Sequence, residues 1–197
     1  MSTFLDHIDW QAAIATEPQI AIPDGLVGRW WVAHTKPRNE KALAGDLERL
    51  RVPYYLPLRK RTTRSRATGR RSQSIVPVFP SYLFFNGEDE QRFAALTTNR
   101  IVSTLTVTDQ AGLVRELRQV QRLLASGAEF SLGPAINVGD WARVVGGPLM
   151  GLEGVVQRRL SRMRLVLNVN MLNQSVSVEA SQELIEKINP PDFAALA

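Results

Sequence analysis

Beyond residue 137 the hydrophobic pattern of this chain changes to a period of two, and the change divides the sequence into two differently built parts. Leu165, Leu167, Val169 and Met171 alternate with Val166, Asn168 and Asn170, and Val176 and Val178 alternate with serines. That alternation marks strands with one buried face. Five short strands between residues 137 and 190, separated by turns, point to a small closed barrel, because closure removes exposed edges.

Before the change, strand and helix patterns alternate. Residues 30–34 are a run of aromatic and β-branched residues that suits a strand. Thr35 is placed to cap a helix with Pro37 in its first turn, and Leu43, Leu47 and Leu50 fall on one helical face. Pro53 ends that helix, and residues 54–56 read as a short strand. Residues 82–85 are apolar on both faces, which suits a central strand. A short helix is expected over 88–98 around Phe93 and Leu96, then a strand over 101–107. Leu113, Leu117, Val120 and Leu124 give a longer amphipathic helix. The order β-α-β-β-α-β-α implies an α+β fold, an antiparallel sheet with helices against it.

The expected organisation follows. Residues 1–28 read as a flexible acidic leader, in which Pro18 and Pro23 break a brief helical spacing. Residues 29–126 form the α+β domain and 127–136 a polar linker. Residues 137–190 form the barrel and 191–197 a tail.

Charge is placed unevenly. The leader holds Asp6, Asp9, Glu17 and Asp24 and no Lys or Arg. From Arg29 to Val76 there are 13 basic and 3 acidic residues, and the rest of the chain is close to neutral. Residues 59–71 alone carry seven cations and no acid, so they are expected as an exposed loop or the tip of a long hairpin. A basic sector on a balanced chain suggests a polyanionic partner, nucleic acid above all, with a solvated surface as the bland alternative.

Several function classes recede. With no cysteine, disulfides and thiolate metal sites are excluded, and a reducing cytosol is suited. His7 and His34 are the only histidines, and no phosphate-binding glycine motif occurs. No enzyme activity, cofactor or metal is therefore expected. No apolar run is long enough to span a bilayer, so a cytoplasmic protein without membrane attachment is expected.

Two segments resemble one family. Val78-Phe79-Pro80-Ser81-Tyr82-Leu83-Phe84-Phe85, preceded by Trp30-Trp31-Val32 and Lys36, looks like the NGN domain of NusG and its paralogues. The stretch from Val138 through Gly139, Asp140 and Trp141, with Gly147-Pro148, Gly151 and Gly154, resembles a KOW motif, an SH3-like barrel. Gly146-Gly147-Pro148 suits a tight turn, and Gly154 opens a strand where a side chain would crowd the barrel. One departure stands out. Thr98-Asn99-Arg100-Ile101-Val102 occupies the place of the usual Thr-Pro-Gly-Val turn, which with the acidic leader resembles specialised paralogues of the RfaH kind.

The resemblance implies a monomeric transcription elongation or antitermination factor. Its NGN domain would dock on the clamp helices of the largest RNA polymerase subunit through His34, Phe79, Tyr82 and Phe84. Tyr82 and Phe84 fit a plain core equally well. Thr97 and Thr98 lie where relatives touch the opposite jaw, or else cap a helix end. Lys36, Arg38, Lys41, Arg64, Arg66, Arg70 and Arg71 would face upstream or non-template DNA. The barrel would recruit a further partner such as Rho or the ribosomal protein NusE. The rival reading is a ribosome- or RNA-binding KOW protein, which accounts for the basic sector and barrel but not for the Phe-Pro-x-Tyr strand.

Overall fold

The computed structural model describes residues 22, 26, 28–66, 68–136, 139–159 and 162–190. Most of the expected leader and the tail over 191–197 lie outside the described residues. The chain separates into two compact units, Met1–Val107 and Thr108–Ala197.

The first unit contains, in order, β1 (Arg29–Thr35), α1 (Glu40–Arg49), β2 (Tyr54–Tyr55), β3 (Leu58–Arg64), β4 (Arg71–Pro77), β5 (Tyr82–Gly87), α2 (Asp89–Thr97) and β6 (Ile101–Thr106). Four strands make an antiparallel sheet in the order β2-β5-β1-β6, while β3 and β4 pair only with each other. Alternation sorts the sheet's side chains onto two faces. Trp31, Ala33, Leu83, Phe85 and Tyr54 enter one core cluster with Leu43, Ala44 and Leu47 of α1 and Ala95 of α2. Each such large side chain, once fully buried, contributes roughly 1.5–3 kcal/mol. Trp31 also donates its Nε1–H to the Gly87 carbonyl at 3.0 Å, and the guanidinium of Arg92 sits 5.0 Å from its ring centroid.

Local details differ from the sequence expectation. Thr35 does not cap α1; it is the buried last residue of β1, and the helix begins at Glu40 after Asn39. Lys36 and Asn39 instead form a turn, with the Asn39 N–H donating to the Lys36 carbonyl. Leu50 falls past the end of α1 and is exposed, so only Leu43 and Leu47 of the expected triad reach the core. Phe93, around which α2 was expected to pack, is 69% exposed; Ala95 is the buried residue of that helix.

The second unit holds α3 (Gln110–Ala125), β7 (Phe130–Pro134), β8 (Asp140–Val144), β9 (Glu153–Arg159), β10 (Arg162–Val169), β11 (Gln174–Ala180) and β12 (Ile185–Lys187). The Asp109 carboxylate accepts the Gly112 N–H at 2.7 Å and caps α3. Its buried stripe is Leu113, Leu117, Val120 and Leu123; Leu123 takes the place expected for Leu124. The barrel sheet is antiparallel in the order β12-β8-β9-β10-β11-β7. It has six strands where five were expected. The sixth, β7, comes from the segment read as linker and pairs with β11 from Phe130↔Val178 to Pro134↔Gln174.

Among the described residues, no helix is long and apolar enough to cross a membrane.

Candidate functional site

The aromatic strand β5 is entered through a strained turn. Ser81 has a φ of +67°, and its N–H donates 2.6 Å to the carboxylate of Glu40, which is buried at the start of α1. The Ser81 carbonyl in turn accepts the Thr35 N–H at 2.8 Å. Ser81 thus joins the first turn of α1, through the Glu40 carboxylate, to the end of β1, through the Thr35 N–H.

This turn delivers Tyr82 beside His34. The two are register partners across β5 and β1, with ring centroids 5.3 Å apart and an interplanar angle of 32°. Ser103 of β6 pairs with His34 from the other side. Tyr82, His34 and Ser103 therefore form one cross-strand row, on the face opposite α1 and α2. His34 and Tyr82 are half-buried and Ser103 is exposed. The next row inward is closed: Val32 and Phe84 are fully buried. Phe79 is also fully buried and meets Phe84 edge to face at 6.4 Å. Of the four aromatic candidates, the structure brings His34 and Tyr82 to a half-open sheet end and places Phe79 and Phe84 in the core.

Thr97 and Thr98 end α2, and both hydroxyls are engaged locally. Thr97 Oγ1 donates to the Ala94 carbonyl at 2.8 Å and Thr98 Oγ1 to that of Ala95 at 2.7 Å. The following turn passes through Asn99, at φ +58°, a conformation asparagine tolerates. Arg100 then reaches the buried carboxylate of Asp46 with its Nε and the Asn39 Oδ1 at 3.1 Å with a terminal nitrogen. Arg49 pairs with the same carboxylate. Lys36 Nζ donates 2.9 Å to Asn99 Oδ1. Glu40, Asp46 and Arg100 escaped the sequence reading. Ser81 and Arg100, the long-range partners of Glu40 and Asp46, lie 41 and 54 positions away, and nothing local marks an acid that will be buried.

The cationic segment is a β-ribbon. Strands β3 and β4 pair from Leu58↔Pro77 to Arg64↔Arg71, so of the two expected forms, loop or tip of a long hairpin, the segment takes the hairpin, with its strands reaching as far as Arg64 and Arg71. Its base is rooted in the core through Leu58 and the partly buried Ile75. Beyond Lys60 every described residue out to Ser74 is exposed. Arg64 Nε donates to the Gly69 carbonyl at 3.2 Å and shapes the tip. Arg66, Arg70 and Arg71 are exposed, as are Lys36 and Arg38 before α1. Lys41 differs from these. It is half-buried, donates from Nζ to the Ile75 carbonyl at 2.8 Å, and burial draws its pKa below the ordinary lysine value despite the neighbouring Glu40. It braces the ribbon base.

In the barrel, the motif residues divide by task. An added Cβ at Gly154 would lie 2.3 Å from the Val166 carbonyl oxygen, and at Gly139, φ +144°, 2.7 Å from Val155 Cγ1. Gly147 turns at φ +74° beside the exposed Pro148. Asp140 pairs with Lys187 at 2.8 Å. Around this turn Val145, Met150 and Leu184 are exposed.

Among known proteins, residues 28–132, more than half of the chain, match the family model described as "NusG: Transcription termination factor nusG". No curated protein matches the sequence. A crystal structure of an MjSpt4:Spt5 complex, conformation B, is similar over 82% of this chain and 97% of that chain. The two share 13% sequence identity, with a TM-score of 0.29.

Proposed function

The chain belongs to the NusG family of transcription factors, which are not enzymes, and from that membership we propose that it is an elongation factor that binds RNA polymerase. The observation that carries this reading is the division of labour within residues 28–107. A half-open aromatic sheet end and an acid-free cationic ribbon are built on one small core. The sheet end, with His34 and Tyr82, docks on the clamp helices of the largest subunit. Aromatic side chains suit such a contact because they bury much area at low entropy cost. Phe79 and Phe84 support that end from below. The exposed Thr97 faces the opposite jaw.

The ribbon, with Lys36 and Arg38, neutralises phosphates of upstream or non-template DNA. Bridging the two jaws of the polymerase cleft disfavours opening of the clamp and shortens pauses. The barrel recruits a second protein, such as Rho or NusE, through the exposed Val145, Met150 and Leu184. Thr98-Asn99-Arg100-Ile101-Val102 in place of the Thr-Pro-Gly-Val turn, with the Phe-Pro-Ser-Tyr strand and the acidic leader, supports a specialised paralogue of the RfaH kind.

The test is capture of the full-length chain's partners from its own lysate. Core polymerase subunits are expected. Recovery of ribosomal subunits instead, with no polymerase, would replace this reading with a ribosome-binding one.

A further inference from the structure

We infer that the β3–β4 ribbon enters the major groove of double-stranded DNA and presents one defined face, Thr62, Arg64, Arg71 and Gln73, to the base edges. The inference rests on the proposed nucleic-acid contact and gives it a substrate class: duplex rather than single strand, DNA rather than RNA.

Register sorts the ribbon's side chains. Residues directly opposite each other share a face. Thr62↔Gln73 and Arg64↔Arg71 are successive same-face pairs, with Lys60↔Ile75 behind them toward the core. The other face carries Arg61↔Ser74 and Thr63↔Ser72. There the hydroxyls are turned inward: Thr63 Oγ1 lies 3.3 Å from Ser72 Oγ, and Ser74 Oγ donates to the Arg61 carbonyl at 3.5 Å. The first face carries two guanidinium groups and an amide, Arg64 keeping its terminal nitrogens after the Nε bond to the Gly69 carbonyl, while the second carries one guanidinium, Arg61, among hydroxyls already engaged. The first face thus holds the side chains that read bases in a major groove, Arg toward guanine and Gln toward adenine.

Shape and composition choose the ligand. Seven register pairs at about 3.3 Å per residue give an arm of roughly 20 Å. A two-stranded ribbon of that kind fits the major groove of B-form DNA, about 12 Å wide. The deep, narrow major groove of an RNA duplex does not admit it. A single strand is disfavoured by what the ribbon lacks. From Leu58 to Val78 there is no aromatic residue, so there is no platform on which unpaired bases could stack. There is also no acid to repel phosphate.

The test uses the full-length protein and a mixed-sequence duplex DNA of about 30 base pairs, the same strand unpaired, and the matching RNA duplex. Binding is read by fluorescence anisotropy at low and moderate salt. Dimethyl sulfate then reports the groove, since it methylates guanine N7 in the major groove and adenine N3 in the minor groove. The expected result is binding to duplex DNA about tenfold tighter than to the other two, with guanine N7 protected and adenine N3 not.

Two variants separate the face from its charge. Arg64→Lys/Arg71→Lys/Gln73→Ala keeps the charge but removes bidentate donors. It should lose N7 protection and about tenfold in duplex affinity while keeping the salt dependence. Arg64→Gln/Arg66→Gln/Arg70→Gln/Arg71→Gln should lower affinity for every nucleic acid and flatten the salt dependence. Equal or tighter binding of single strands or RNA, or N7 protection that survives the charge-preserving variant, overturns the groove inference alone. Binding to all three probes that ignores both variants overturns the inference and the ribbon's part in the proposed function together.

Discussion

The Ser81 N–H, in a residue with a left-handed backbone, donates 2.6 Å to a buried Glu40 carboxylate that lies 41 positions earlier in the chain. The contact sets where the aromatic strand begins, and it makes a prediction. Glu40→Ala leaves the Ser81 N–H without its acceptor inside the fold, which should cost about 1–3 kcal/mol in urea unfolding. Ser81→Gly relieves the left-handed strain and should be neutral within about 1 kcal/mol. If both variants unfold at the wild-type midpoint, the contact does not hold the turn.

Half-buried and fully buried aromatics should respond differently. Phe84→Ala opens a cavity in a closed core and should cost roughly 3–5 kcal/mol, so it reports on folding. His34→Ala and Tyr82→Ala should leave the melting temperature within a few degrees and weaken polymerase binding, measured by anisotropy with labelled protein. Wild-type affinity in both would remove the sheet end from the docking surface.

The barrel contains a steric test. Gly154→Val puts a side chain against the Val166 carbonyl and should destabilise by about 3 kcal/mol or more, the upper range of overpacking. Gly133→Ala meets only Ser175 Oγ at 3.8 Å and should shift stability by no more than about 0.5 kcal/mol. Thermal melts of the two full-length variants decide it; similar losses would mean that backbone approach at Gly154 is not limiting.

Acidity should matter through Glu116 of α3. Burial pushes its pKa up from 4.5 to about 7, against the opposing hydrogen bonds from the Asn170 N–H, at 3.0 Å, and side-chain amide. Asp109 raises it further and Arg115 lowers it. A carboxyl whose folded pKa lies above its unfolded value binds its proton more tightly in the folded state. Its contribution to stability is fully present below pH 4.5 and is lost as pH rises through about 7. Melting temperature should fall over that window, and Glu116→Gln should flatten the fall. A slope that Gln leaves unchanged would assign it to another group.

What the sequence disclosed depended on how local the signal was. The strand at 82–85 and the spacing requirement at Gly154 were readable because apolar density and glycine placement act on immediate neighbours. β7 was not. Its composition, Phe-Ser-Leu-Gly-Pro, is that of a linker, and it becomes a strand only because β11, over forty residues later, offers a pairing edge. How far strand extends into residues 59–71 was hidden for a related reason. A run of cations, threonines and serines carries no apolar alternation, although threonine is a good strand former. The site was half legible. The sequence named His34, Tyr82, Phe79 and Phe84 together, but which sheet face closes is decided by tertiary packing, and that closed over Phe79 and Phe84.

The brace from Lys41 to Ile75 has a mechanical consequence. A load on the ribbon tip acts with a moment arm of roughly 20 Å, from about seven residues of strand. At the base the torque meets one strand fastened to α1 by the Lys41 ammonium and the paired strand locked by the Val78 N–H on the Pro57 carbonyl, at 2.8 Å. Asp46 follows Lys41 by about one and a half turns of α1, and Glu40 adjoins Lys41. The Ser81 turn and the Arg100 tie are fastened to that same helix. The base of the arm and the entry to the aromatic strand thus share one anchor, α1, the first through Lys41 and the second through Glu40.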